Sequence, residues 1–143
     1  MNDPLKEPNE LPSLYSLSAI GLATFLGSVL AGGYMIMSNY LVLGQKQTAK
    51  YVAYATAAII LIWIAVSMQV VSAGITTMIA INMGQVILAL IVAHKLQGPM
   101  FSSYEEMGGQ YQPMWKSLVV ALASSLVFTF LGTLLIVVLG SPQ

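Results

Sequence analysis

Four long apolar blocks limit how this chain can fold more than any other feature. They lie at about 14–40, 51–69, 73–94 and 115–139. Each has about the 20 residues with which an α-helix crosses roughly 30 Å of hydrocarbon. Charged residues make up only 7 % of the 143 residues, against roughly 25 % in a typical soluble domain. The sequence therefore predicts an all-α integral membrane bundle of four transmembrane helices.

The polar residues before the first block predict a flexible N-terminal tail at 1–13. Pro4, Pro8 and Pro12 prevent a continuous helix there. We expect no cleavable signal peptide, because no basic region directly precedes the first apolar block. The rest of the chain, 14–140, is predicted to form a single membrane domain.

Small residues recur at four-residue spacing in the first block, and such spacing lets helix backbones approach closely in a membrane. The adjacent glycines at 32 and 33 also weaken a helix. One interpretation is close packing against other helices. The other is a bend that exposes backbone carbonyls to a cavity, as broken helices do in transporters. The predicted packing residues are Ala23, Thr24, Gly27, Ser28, Ala31, Gly32 and Gly33.

Three amides are candidates for buried polar groups. Asn39 ends the first block, and Asn82 and Gln85 share a face near the middle of the third. An unpaired amide in hydrocarbon costs several kcal/mol. We therefore expect Asn82 and Gln85 to point into the bundle and to bond Thr24 or Ser28. The alternative is a polar midplane site for a solute or an ion.

The connection between the third and fourth blocks predicts a short amphipathic helix at 99–107 in the membrane interface. Pro99 is a favoured start for such a helix, and glycines at 108 and 109 are favoured stops. Apolar and acidic residues fall on opposite sides of it. The residues of interest on this helix are Phe101, Tyr104, Glu105 and Glu106.

Composition argues against catalysis, metal binding and nucleic-acid binding. The chain has no cysteine, one histidine (His94) and zero net charge. Glu105 and Glu106 have no accompanying nucleophile or metal-ligand set, so we predict no enzyme activity, cofactor or metal. A nucleic-acid partner would need a dense basic patch.

The lysines predict an orientation in the membrane. Lys46, Lys50, Lys95 and Lys116 belong to the connections after the first and third blocks. The positive-inside rule places those connections in the cytoplasm. With four crossings, both termini are then expected outside the cytoplasm.

Two stretches have a recognisable pattern. The first is 23–34 followed by Asn39-Tyr40 and Leu43-Gly44, and the second is Gln97-Gly98, Gly108-Gly109-Gln110 and Trp115-Lys116. Together they resemble a group of small uncharacterised bacterial four-helix inner-membrane proteins. The chain has Val29 where such proteins often have proline. The resemblance implies a bacterial inner-membrane location and no particular activity.

Three functions stay open at the level of sequence. The small residues favour a protein that acts in the lipid bilayer through helix packing, as a homo-oligomer or as partner of another membrane protein. A pore or transporter subunit would use Asn82 and Gln85 to line a polar route, which flux measurements would detect. An immunity protein against a membrane-inserting toxin would be encoded beside a toxin gene.

Overall fold

The computed structural model describes residues 11–70 and 74–139, and these form four helices. Every one of the four is long and apolar enough to cross a membrane, judged by length and composition. Residues 1–10 of the predicted tail, 71–73 and 140–143 lie outside the described residues. The helices are α1 (Leu17–Val42), α2 (Lys46–Val70), α3 (Gly74–Glu106) and α4 (Met114–Leu139).

Helix α1 folds back on itself at Ser28. The backbone of Ser28 has φ 73° and ψ 178°, which is not helical. Just before the helix, the Tyr15 N–H donates to Asn39 Oδ1 at 2.8 Å, and Asn39 Nδ2 donates to the Tyr15 carbonyl at 2.9 Å. In a straight helix these residues would lie roughly 36 Å apart. The first apolar block is therefore a helical hairpin, which we call the α1 hairpin.

The α1 hairpin has an outgoing limb at 17–27 and a returning limb at 29–42. At 1.5 Å per residue the limbs are roughly 16 and 21 Å long, about half of a typical hydrocarbon core. Gly32 lies against Thr24 and Ile20 of the outgoing limb. The predicted single crossing over 14–40 is thus corrected. The break lies at Ser28, and Gly32 and Gly33 belong to the returning limb.

The other three helices pack around the α1 hairpin, whereas α2 and α3 hardly contact each other. Each approach uses a glycine. A Cβ on Gly27 would lie 2.6 Å from the Ala121 Cα of α4, and one on Gly21 would lie 2.8 Å from a Leu90 methyl of α3. Gly33 meets the Thr56 side chain of α2.

The α1 hairpin divides the molecule into two halves of different packing. The near half lies beside the hairpin and includes 11–59 and 85–124. The far half lies beyond the turn at Ser28 and includes 60–70, 74–84 and 125–139. Every side chain described as buried belongs to the near half. In the far half Leu61, Ile75 and Leu126 are 68 %, 75 % and 73 % exposed.

Helix α3 continues beyond the predicted span. It runs through His94 and Pro99 to Glu106, so the predicted helix at 99–107 is the end of α3 rather than a separate element. With 33 residues it is roughly 50 Å long, which exceeds the hydrocarbon thickness. Phe101 and Tyr104 are buried on this extension.

The chain before α1 lies at the lysine-bearing end of the molecule. Leu14 is fully buried, its N–H donates to the Gln110 carbonyl at 3.3 Å, and its carbonyl accepts from the Gln112 N–H at 2.7 Å. Lys116 Nζ also donates to Gln112 Oε1. We expected the N-terminal segment opposite the lysines. Because the α1 hairpin returns to the end where it starts, the segment lies beside them, and the α4 end at Leu139 is roughly 39 Å away.

Candidate functional site

A buried polar cluster closes the base of the α1 hairpin, and we call it the latch. It joins Asn39 of the returning limb to Tyr15 before the outgoing limb and to Gln97 of α3. Asn39 Nδ2 donates to Gln97 Oε1 at 3.2 Å, and Gln97 Nε2 donates to the Ile36 carbonyl at 3.1 Å. Asn39 and Gln97 are 1 % and 0 % exposed. With the two bonds to Tyr15, both amides are hydrogen-bonded through oxygen and nitrogen, as buried amides must be.

We interpret the latch as structural: it holds the two limbs of the α1 hairpin together and fixes them to α3. Nearby, the Tyr40 hydroxyl donates to the Leu96 carbonyl at 2.9 Å, which adds a second link between α1 and α3. Asn39 was predicted as a buried polar residue. Gln97 was missed, because it lies beyond the predicted end of the third span, where an amide looks like ordinary loop content.

An apolar groove lies between the returning limb, α2 and α3. It has a volume of about 440 Å³ and is lined by residues of all three elements. Its wall is almost entirely hydrocarbon, with Thr56, Trp63 and Gln85 as its polar or amphipathic members. The groove exists because α2 and α3 both pack on α1 without closing on each other. Such a surface fits an alkyl chain or an apolar helix better than a hydrated solute.

The amides of α3 do not meet the hydroxyls of α1. Gln85 is half-buried in the groove wall, and Asn82 is exposed on the surface of α3. The Thr24 hydroxyl donates to the Ile20 carbonyl at 2.8 Å, and Ser28 Oγ accepts from the Leu30 N–H at 3.4 Å. No hydrogen bond of Asn82 or Gln85 is found among the described residues.

The predicted packing residues belong to the α1 hairpin, and its glycines make their close contacts within the monomer. Glycines 27 and 33 contact α4 and α2, while Gly32 contacts the outgoing limb. The small residues thus make room inside the monomer. Those buried are Ala23, Thr24, Gly27, Ala31 and Gly32, and those half-buried are Ser28 and Gly33.

The extension of α3 forms an aromatic and polar contact with the chain before α4. The Tyr104 hydroxyl lies 2.8 Å from the Pro12 carbonyl oxygen and 2.6 Å from that of Gln110. The Tyr111 hydroxyl donates to Glu105 Oε1 at 2.8 Å. Burial and then this carboxylate raise the pKa of Tyr111 to about 12, so the donor is protonated at neutral pH. Glu105 and Glu106 are exposed.

Within 11–70 and 74–139 no group of three His, Asp or Glu side chains could hold a metal ion. The comparisons with known proteins add no function, since no family model, curated protein or solved structure matches the chain. The resemblance to small bacterial inner-membrane proteins stays a prediction. What the geometry offers is a closed near half, an apolar groove and an exposed amide on α3.

Proposed function

We propose that the protein is a multi-pass protein of the bacterial inner membrane with three crossings, α2 to α4, and a re-entrant α1 hairpin. The apolar surface of all four helices supports insertion, and the limb lengths limit the hairpin to one leaflet. The positive-inside rule then places the near end in the cytoplasm. The segment at 11–16 is cytoplasmic in this arrangement, and the end of α4 is outside.

Labelling of single cysteines in intact cells tests this arrangement, because the natural chain has no cysteine. An impermeant maleimide added outside should label Ile75→Cys but neither Ser13→Cys nor Gln45→Cys. Four straight crossings predict instead that Ser13→Cys and Ile75→Cys are labelled together. Labelling of Ser13→Cys from outside would therefore contradict the re-entrant hairpin.

In this membrane the protein acts through helix packing, as a homo-oligomer or as partner of another membrane protein. The main support is the open far half. The α1 hairpin ends halfway, so α2, α3 and α4 continue beyond it without a central element. An added Cβ on Gly84 or Gly132 would meet nothing within 4 Å. Small residues at open positions allow another helix to approach closely, and this is how helices associate in lipid.

A pore or transporter subunit has weaker support. Such a function needs a polar route, and the groove offers only a few polar groups, Thr56 and Gln85 among them, in an apolar wall. The packing role needs no such route.

The number of chains per particle tests the packing role. Membranes are extracted directly into polymer-bounded lipid discs, and the particles are weighed by native mass spectrometry at several expression levels. We expect two or more copies, or a second membrane protein in fixed ratio. A single chain per disc at every level, with no companion, would overturn the proposal.

A further inference from the structure

The apolar groove between the returning limb, α2 and α3 is long and narrow. It runs roughly 17 Å along α2, from Val52 to Trp63, and roughly 23 Å along α3, from Ile81 to Leu96. One leaflet of a bilayer has roughly 15 Å of hydrocarbon. A volume of about 440 Å³ over this length gives a mean cross-section of roughly 20–25 Å², whereas an α-helix roughly 10 Å across occupies roughly 80 Å². The groove is therefore too narrow for a helix but long enough for an alkyl chain that spans one leaflet.

The groove is accessible from its surroundings. Ile62, Leu88 and Leu96 belong to its lining and are 64 %, 52 % and 48 % exposed. In the proposed arrangement those surroundings are lipid tails. Because lipid tails are as apolar as these side chains, the apolar wall alone does not select a particular lipid. Selection requires a polar or charged group at one end of the groove.

A cation lies at the near end of the groove. Lys95 follows the lining residues Leu88 and Val92 by seven and three positions, so it shares their side of α3. It is exposed, and no ion pair of Lys95 is found within 11–70 and 74–139. It lies roughly 32 Å along α3 from Gly74, about the thickness of the hydrocarbon. In the proposed arrangement its ammonium group therefore reaches the depth of the lipid phosphates.

We propose that the groove binds one anionic phospholipid of the cytoplasmic leaflet, with an acyl chain along the groove and the headgroup at Lys95. This inference rests on the proposed membrane arrangement, which brings the near end to the cytoplasmic interface. A lysine ammonium binds phosphate as a point charge, and it favours lipids of net negative charge. A zwitterionic headgroup carries its own cation, so it gains less from the same lysine.

Native mass spectrometry of the delipidated protein in detergent measures the binding. Phosphatidylglycerol should bind as a single molecule, and more tightly than phosphatidylcholine with the same acyl chains. Lys95→Gln should weaken the binding of phosphatidylglycerol about 5-fold, the effect of one lysine near an anionic headgroup. Lys50→Gln is the matched control and should leave the binding unchanged. Lys50 is also exposed, but it precedes the lining residue Val52 by two positions and so lies on the other side of α2.

Filling the groove tests the place of the acyl chain. Ala55 lines the groove, and Ala58 of the same helix does not. Both are exposed, so a larger side chain is tolerated at either position. Ala55→Phe should weaken the binding of phosphatidylglycerol about 10-fold or more, because the ring takes the space of the chain. Ala58→Phe should leave it unchanged.

Three results would each overturn the proposal: equal binding of the two lipids, binding that Lys95→Gln leaves unaffected, or binding that Ala55→Phe leaves unaffected. A helix of another chain in the groove would overturn it too. That occupant would appear as lipid discs with several chains and no retained phospholipid, which Ala55→Phe converts to discs with one chain.

The maleimide labelling separates a failure of the lipid site from a failure of the membrane arrangement. Labelling of Ile75→Cys alone, together with no preference for phosphatidylglycerol, would reject the site and keep the arrangement. Labelling of Ser13→Cys from outside would reject the arrangement and, with it, the headgroup position in the cytoplasmic leaflet.

Discussion

The near and far halves of this protein are built from equally apolar helices, yet only one of them is packed. In the near half, the α1 hairpin fills the space between α2, α3 and α4 and is sealed by the latch. In the far half, the same three helices continue without it, and no described side chain there is buried. The difference shows that apolar composition alone does not produce a packed core in this chain. Close backbone approach and satisfied polar groups do.

The two asparagines sharpen this comparison. Asn39 lies in the near half, at the base of the α1 hairpin, and is satisfied by its own chain. Asn82 lies in the far half and has no partner within the described part of that chain. The same residue type is thus hydrogen-bonded within the chain in one half and left exposed in the other.

The largest expected effect comes from enlarging the glycine that touches α4. Gly27→Leu should destabilise the monomer by about 3 kcal/mol or more, because a Cβ there would lie 2.6 Å from the Ala121 Cα and backbone cannot move aside as a side chain can. Unfolding in mild detergent, followed by circular dichroism, measures the change.

The matched control for Gly27→Leu is Gly132→Leu in the far half of α4. Nothing lies within 4 Å of a Cβ at Gly132, so for the monomer the change in unfolding free energy should be within about 0.5 kcal/mol. Equal destabilisation by the two variants would refute the division into a packed and an open half.

The second-largest expected effect on stability comes from removing the latch. Asn39→Leu leaves the Tyr15 backbone and the Gln97 Oε1 atom without a partner, and a buried unsatisfied group costs about 1–3 kcal/mol. We expect about 2 kcal/mol of destabilisation and faster proteolysis near Tyr15.

Asn82→Leu provides the comparison for Asn39→Leu, measured at a concentration low enough for monomers. It should leave the free energy of unfolding unchanged, since the side chain is exposed and no hydrogen bond of that amide is found in the described part of the chain. If Asn39→Leu also left the free energy of unfolding unchanged, the latch would not hold the hairpin closed.

The smallest effect concerns the turn of the α1 hairpin. Ser28 has φ 73° and ψ 178°, a conformation natural to glycine and strained by about 1–3 kcal/mol for other residues. Ser28→Gly should therefore stabilise the protein by about 1 kcal/mol. Ser38→Gly, in the helical part of the returning limb, should destabilise it by about 0.5 kcal/mol. A higher melting temperature for Ser28→Gly together with a lower one for Ser38→Gly would support the turn. A lower melting temperature for both variants would argue against it.

Several features of the fold could be predicted from local sequence. The four helices follow from blocks of about 20 apolar residues, and Gly44 and Gly108 end helices with the positive φ values of 76° that glycine permits. The site was less predictable. Asn39 could be named as a buried amide, but its partner Gln97 is 58 residues away, and no local pattern connects the two.

The turn at Ser28 was the main feature that local patterns missed. Segment 17–42 is long and apolar enough for a crossing, and its one glycine pair, at 32 and 33, lies in the returning limb rather than at the turn. Ser28 has no helix-breaking side chain. The turn is a property of the hairpin as a whole, in which Gly32 meets Thr24 and Asn39 meets Tyr15.

The sequence by itself determined that the chain is helical and apolar and that it has small residues where helix backbones can approach closely. These properties depend on residues within a few helical turns of each other. Only the tertiary structure decided that α1 returns to its own starting end, and with it the side on which the N-terminal segment lies. That decision depends on hydrogen bonds and backbone contacts between residues far apart in the chain. The free energy of such contacts exists only once the helices are assembled.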